Sequence, residues 1–365
     1  MPVPASSGPV KMLKTIRFRR SCTGWLASLA LLGCASSALA DKTDIIHLKN
    51  GDRVTCEIKN LERGQLKVRT DSMSTVYIEW EDILHISSKE LYVVELQDGS
   101  RLQGTLSATD AGNELRLHDA DSAIGEEQLV SMAEVVWLDP LKLDKKRIRR
   151  WDGSVSAGFD TTKANNDTSL SASFDARRRA EDFLLNFSGS VYSRSQDGAE
   201  DSLRADFSGV YRGLLEDRWY WAALGTLERN DELAIDLRTL AGAGYGRFLM
   251  QTGRSLWSAT GGLAVVNEQR AGNEDAETSI EAILNTEYEF FTYDTPKTTL
   301  TTSLTIYPSL TESGRVRGNL DFALRHELIE DLFIEISIYD SWDRKPPEDG
   351  EKNDYGIVTG LGYTF

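Results

Sequence analysis

The chain has 365 residues and a formal charge of −16 at pH 7. So acidic a balance argues against nucleic acid as a partner. Beyond residue 40 no stretch approaches eighteen apolar residues, which excludes membrane helices but not a β-barrel, half of whose positions face a polar lumen.

Residues 1–40 read as a signal peptide. Lys11, Lys14, Arg17, Arg19 and Arg20 form a basic start, Trp25 to Leu32 an apolar core, and Ala38-Leu39-Ala40 a small-residue cleavage pattern. Cleavage after Ala40 makes Asp41 the first mature residue and takes the net charge to about −21, because the leader holds five basic residues and no acidic one. Leu31-Leu32-Gly33-Cys34 offers a competing lipobox, and Met12 is an alternative start to Met1. In either case the chain leaves the cytoplasm. Cys56 is then the one mature thiol, so the fold must hold without an internal disulfide.

Residues 41–138 read as a periplasmic domain of two small β repeats. Asn50-Gly51-Asp52-Arg53-Val54 follows the apolar run at Ile45, and Asp98-Gly99-Ser100-Arg101-Leu102 follows the run at Tyr92 in the same way. Asn-Gly and Asp-Gly between β-rich runs predict tight hairpins of type I′. The repeats end alike, at Asp82–Ile86 and Glu134–Leu138, with a four-residue insertion in the second. Leu48 to Val54 resembles the opening of an Sm-like or SH3-like small barrel. In Sm proteins that would imply RNA, which compartment and charge oppose here, so a module for periplasmic protein contacts is the expectation. Residues 139–150 form a basic linker, with six Lys or Arg between Lys142 and Arg150, placed to lie against anionic lipid head groups or simply in solvent.

Residues 151–365 predict a twelve-stranded antiparallel transmembrane β-barrel, so the fold class is all-β throughout. Strands are placed near 151–159, 168–178, 183–192, 201–211, 219–228, 235–245, 255–267, 279–290, 298–307, 316–326, 332–341 and 355–365. In the second, Leu170, Ala172, Phe174 and Ala176 alternate with Ser171, Ser173, Asp175 and Arg177. Aromatics gather near strand ends (Trp151, Phe159, Tyr211, Trp219, Tyr245, Trp257, Phe290, Tyr307, Tyr355), as interfacial girdles require. Short joins follow even strands and long polar ones follow odd strands, which puts the first domain on the short-turn, periplasmic side.

The last residues resemble the signal read by the outer-membrane barrel-assembly machinery at Gly360, Tyr363 and the terminal Phe365, while Val358 departs from it. Trp151-Asp152-Gly153-Ser154-Val155, Ala241 to Arg247 and Asn267-Glu268-Gln269-Arg270 resemble the YdiY-like family of salt-induced outer-membrane proteins, a domain family of unknown function. That resemblance implies a Gram-negative outer-membrane barrel and supplies no catalytic residues.

Chemistry is sparse. There are four histidines (His47, His85, His118, His326), and only His326 lies in the predicted barrel, at the periplasmic end of its strand. A phospholipase-type Ser-His pair would face the outer leaflet instead, so no enzyme, cofactor or metal is expected. Divalent-cation binding by Asn165-Asn166-Asp167 or Glu274-Asp275 lacks an EF-hand spacing. With apolar faces turned to lipid, the inward set is Asp152, Asp175, Asp206, Glu228, Asp236, Glu281, Glu287, Glu289, Asp321 and Glu335 against Arg177, Arg204, Arg212, Arg238, Arg317 and Arg325, an excess of four acids. The expectation is a passive small-solute channel or structural barrel, porin-like, with a tie to envelope or osmotic stress that the family resemblance alone implies. The alternatives are a barrel-anchored interaction protein working through its periplasmic module and, behind that, an outer-membrane hydrolase.

Overall fold

A computed structural model describes residues 43–109, 112–118, 127–141, 151–162, 167–195, 201–272, 275–292, 296–346 and 351–364, and residues 42–365 form one unit. The leader with Cys34, Ala40 and Asp41, most of the basic linker, Asn165, Asn166, Glu274 and Phe365 lie outside the described residues.

The first domain is built from nine strands: β1 (Asp44–Leu48), β2 (Arg53–Glu62), β3 (Gln65–Arg69), β4 (Thr75–Glu79), β5 (Ile83–Leu96), β6 (Arg101–Ala108), β7 (Glu114–His118), β8 (Glu127–Ser131) and β9 (Val135–Pro140). They form one sheet in the order β4-β3-β2-β1-β5-β6-β7-β8, with β9 against β5 and β2. The duplication is literal. Ile46 pairs with Val54 and Ile86, and Val94 pairs with Leu102 and Leu138. A 3-10 turn precedes the closing strand of each repeat, at Trp80–Asp82 and at Met132–Glu134.

Apolar members of these strands meet in one core in which Ile46, Ile58, Leu61, Leu66, Tyr92 and Leu138 have no exposed surface, and Cys56 is buried among them. Each fully buried aliphatic side chain contributes about 1.5–3 kcal/mol relative to exposure. One carboxylate shares the interior. Asp44 accepts hydrogen bonds from the Ile58 amide (2.7 Å), the Tyr92 hydroxyl (3.2 Å) and the Ser88 hydroxyl, so the charge is compensated.

The two glycine turns differ from the sequence expectation. Gly51 and Gly99 have positive φ (94° and 86°), but Asn50 and Asp98 do not, so these are not type I′ turns. The Gly51 amide donates to the Leu48 carbonyl and the Leu48 amide to the Asp52 carbonyl, with the same pair between Leu96, Gly99 and Ser100. This is a three-residue loop, a type I turn closed by a left-handed glycine. The Asn50 and Asp98 side chains accept from the amides two residues on (2.9 Å each), which favours that form. The type I′ signature falls instead at Arg63 (φ 52°) and Gly64 (φ 69°), between β2 and β3.

The barrel comprises β10 (Asp152–Thr162), β11 (Asp167–Arg179), β12 (Phe183–Ser195), β13 (Ser202–Leu214), β14 (Trp219–Asn230), β15 (Ile235–Gln251), β16 (Ser255–Arg270), β17 (Glu277–Thr292), β18 (Thr298–Pro308), β19 (Val316–Ile329), β20 (Leu332–Asp343) and β21 (Asn353–Thr364). These twelve pair with their sequence neighbours and close β10 on β21, with Val155 opposite Tyr363. Most run a few residues past the predicted ends because pairing continues into the loops. In β15 the extension carries bulges near Asp236 and Leu249.

The outward face is apolar and exposed. Leu263, Tyr245, Ile357 and Phe159 are each more than half exposed, among some two dozen outward apolar side chains on all sides. Water does not tolerate a continuous apolar surface of that extent, whereas hydrocarbon does. Glycines let aromatics lie flat on this surface: a Cβ at Gly213 would sit 2.1 Å from the Trp221 ring, and one at Gly189 2.6 Å from Phe174. Stacked pairs Phe183–Tyr211 and Trp151–Phe187 continue the girdle at the short-turn end.

Candidate functional site

Strand alternation turns the charged residues inward, so the lumen is the place where chemistry or transport can occur. Its filling has two ionic levels. Toward the long-loop end, Arg238 bridges Glu228 (3.0 Å) and Glu268 (2.7 Å), and Arg315 joins Glu268 (3.0 Å) to Asp343 (2.6 Å). Arg317 makes a two-point pair with Glu281 (3.1 and 2.5 Å), with both side chains at most 4% exposed. Across the barrel, Arg204 on β13 meets Asp354 on β21 (3.2 Å) and lies 4.0 Å from the centre of the Tyr339 ring, and Asn230 also donates to Asp354 (2.7 Å). Charges this buried persist because each has an opposite partner held in register by neighbouring strands. Beside this level an apolar patch of Leu240, Ala264, Val266 and Ile283 also faces inward.

Toward the short-turn end, Arg212 on β13 reaches Glu287 on β17 (2.6 Å), and Arg177 on β11 reaches Glu289 on β17 (3.6 Å), so these pairs cross the lumen. The first domain enters here. Its β2–β3 turn brings Glu62 to Arg177 (3.4 Å) and Arg63 to Glu289, with the Arg63 guanidinium 5.4 Å from the Phe291 ring. A second contact joins Glu95 to Arg179 (3.1 Å) and to the Gln251 amide (2.6 Å), while Arg179 stacks 5.0 Å from Trp137. Gln103 donates to Glu181 (3.1 Å) on the rim. Burial pushes Glu62 and Glu95 up. Arg177, Arg179 and Arg63 around Glu62, and Arg179 and Arg101 beside Glu95, outweigh it and hold both carboxyls below the ordinary glutamate range. Between domain and barrel remains a chamber of about 1080 Å³ bounded by Lys59, Glu62, Asp152, Asp175, Arg177 and Arg325.

A family profile described as "Protein of unknown function, DUF481" matches residues 155–365. The chain belongs to the DUF481 family. The match covers the barrel from within β10 onward, and the first domain of this DUF481 protein lies outside it. No curated protein matches the chain. Among solved structures it is similar to the β domain of the Bordetella autotransporter BrkA (11% identity, 59% of this chain and 97% of that one, TM-score 0.32). It is also similar to the NanC porin (9%, 59% and 98%, TM-score 0.35) and to a bacterial polysaccharide outer-membrane secretin (7%, 60% and 98%, TM-score 0.31).

In the DUF481 barrel the predicted lumen residues divide into two groups. Arg177, Arg204, Glu287, Glu289, Arg317 and Arg325 are ion-paired, Arg325 with Glu335. Asp175, Asp206 and Asp321, with Asp152, carry no ion pair among the described residues, and Asp206 accepts from the Ser190 hydroxyl. Two sequence expectations are corrected. Asp236 is exposed, because the bulge between Ile235 and Leu237 breaks the alternation. Tyr307 belongs to no girdle: it is buried inward, 4.9 Å from the Arg317 guanidinium. Tyr363 is half exposed on β21, and Gly360 pairs with Glu335. His326 Nδ1 lies 2.9 Å from the Thr298 hydroxyl at the short-turn end.

Sequence reading missed Glu62, Arg63, Glu95, Gln251, Arg315 and Asp343. The first two sit on an Arg-Gly turn, whose signal is weak because positive φ on arginine is uncommon. Arg315 lies in a join that looks like polar loop until its fold over the lumen is known.

Proposed function

We propose that this protein is an outer-membrane β-barrel, without enzymatic activity, held closed by its own charges and by its periplasmic domain. It works as a plugged structural barrel or as a channel of small conductance. The observation that carries this is the set of ion pairs spanning the lumen at both ends, Arg204–Asp354 and Arg177–Glu289, the latter joined by Glu62 and Arg63 of the first domain. The apolar exterior, the even strand number and the segregation of short and long joins support the outer membrane as its place. Lipid is then its solvent and the barrel-assembly machinery its route there. A link to osmotic or salt stress rests on the resemblance to the YdiY-like family.

The acids Asp152, Asp175, Asp206 and Asp321, without ion pairs among the described residues, leave a negative excess in the lumen, because Arg177, Arg179, Arg204, Arg212, Arg238, Arg317 and Arg325 already face carboxylates. Any path should favour cations, weakly at physiological salt where screening acts over about 8 Å. Planar-bilayer recording of the full chain tests this. The expected result is small conductance with a slight cation preference that fades as salt rises. A wide, steadily open pore or clear anion selectivity overturns it.

A second reading, a barrel-anchored interaction protein, is favoured by one observation: the first domain has a complete core of its own, far more than a plug needs. Capture of a periplasmic protein by the domain, lost when its surface alone is changed, would favour that reading.

A further inference from the structure

The two repeats of the first domain present equivalent faces, and the barrel covers one of them. In the second repeat, Glu95 and Trp137 stand directly opposite each other across β5 and β9, on the side away from the core. Both side chains converge on a single group, the Arg179 guanidinium, which is ion-paired to Glu95 at 3.1 Å and lies 5.0 Å from the Trp137 ring. The repeat register carries Glu95 onto His47 and Trp137 onto His85, which stand directly opposite each other across β1 and β5. The same backbone that lets two side chains grip one cation in the second repeat thus holds two imidazoles in the first. Neither histidine makes a hydrogen bond or ion pair with the barrel among the described residues.

We propose that His47 and His85 bind one late first-row divalent cation, of the class of Cu²⁺ or Zn²⁺, with water completing its coordination. The imidazole rings are 6.4 Å apart between centres, in an edge-to-face arrangement. Nitrogen–metal bonds of about 2.0–2.1 Å bring two ligand rings somewhat closer than this, a change that side-chain rotation supplies. His85 Nδ1 is shut off from solvent and has no hydrogen-bond partner among the described residues, a buried acceptor or donor of the kind a ligand would satisfy. Imidazole nitrogen suits this class of metal, in contrast to Mg²⁺ or Ca²⁺, which select oxygen. Gly112, at the β6–β7 turn, crosses beside the site: a Cβ there would lie 3.9 Å from His85 Cε1. Arg53, opposite His47 on β2, sets a like charge beside the cation, since the equivalent Arg101 has Glu95 as its partner and Arg53 has a histidine. The site is independent of whether the barrel conducts.

The test uses the full mature chain in detergent without a polyhistidine tag, titrated with Cu²⁺ and followed by electron paramagnetic resonance. One copper per chain with nitrogen coordination is expected, lost in His47→Ala and in His85→Ala and kept in His118→Ala and His326→Ala. Arg53→Gln should tighten binding by removing a like charge. Thermal unfolding of each apo variant keeps misfolding apart from loss of the site, because both imidazoles lie off the core. Failure of the wild-type chain to bind copper overturns the proposal. So does binding that survives both histidine variants, or weaker binding in Arg53→Gln, which would show that the bound copper does not sit beside that charge.

Discussion

The two β-structures of this chain alternate apolar and polar side chains in the same way yet bury opposite halves of the pattern. In the first domain Ile58, Leu61 and Leu138 are sealed from solvent, and the charged positions other than Asp44 lie off the core. In the barrel Leu263 and Ile357 are exposed while Arg317 and Glu281 are sealed within. Period-two alternation therefore specifies a strand and leaves open which face is inside. The medium on the far side of the sheet decides that.

The difference can be broken most strongly at a charge. Arg317→Ala leaves Glu281 buried without its partner and should cost the barrel about 3–5 kcal/mol. The outward pair Arg116–Glu127 on the first domain (3.5 Å, both substantially exposed) should lose at most about 1 kcal/mol in Arg116→Ala. Equal losses in urea unfolding would erase the distinction between the two structures.

The next effect lies on the apolar face. Leu263→Arg places a charge in the middle of β16 on the lipid side and should cost about 2–4 kcal/mol, read as lower folded yield in lipid vesicles. A neutral outcome would mean that this face meets water.

The smallest effect concerns the seam between the two structures. Glu62 and Glu95 have carboxyls held below their ordinary 4.5 by arginines of both domains. A depressed value in the docked state means that the contribution is complete above the undocked value and is lost as pH falls through the docked one. Docking should accordingly be flat from pH 5 to 8 and loosen only below about 4.5, as followed by protease access to the β2–β3 turn. Loosening on the alkaline side would contradict the ion-pair account.

Much of this architecture was legible. Twelve strands, their closure and the repeat offset follow from alternation and from the recurrence of Asn-Gly-Asp-Arg as Asp-Gly-Ser-Arg. What escaped was of two kinds. Asp236 fails at a bulge, which no count along the strand can foresee. Tyr307 keeps the alternation, opposite the inward Arg317, and is misplaced when an aromatic at a strand end is read as a girdle residue. Glu62, Arg63 and Glu95 fail because their partners lie far away in sequence, in the barrel strands, and local pattern is silent about contacts between domains.

Strand β5 carries a last consequence. Its first half closes one repeat, through Ile86 on Ile46, and its second half opens the other, through Val94 on Leu102 and Leu138. Neither repeat owns a complete set of strands without it. The duplicated unit therefore cannot melt by halves: a cut near Lys89 strips both repeats of a partner at once, and the pair behaves as a single cooperative folding unit rather than as two beads on a string.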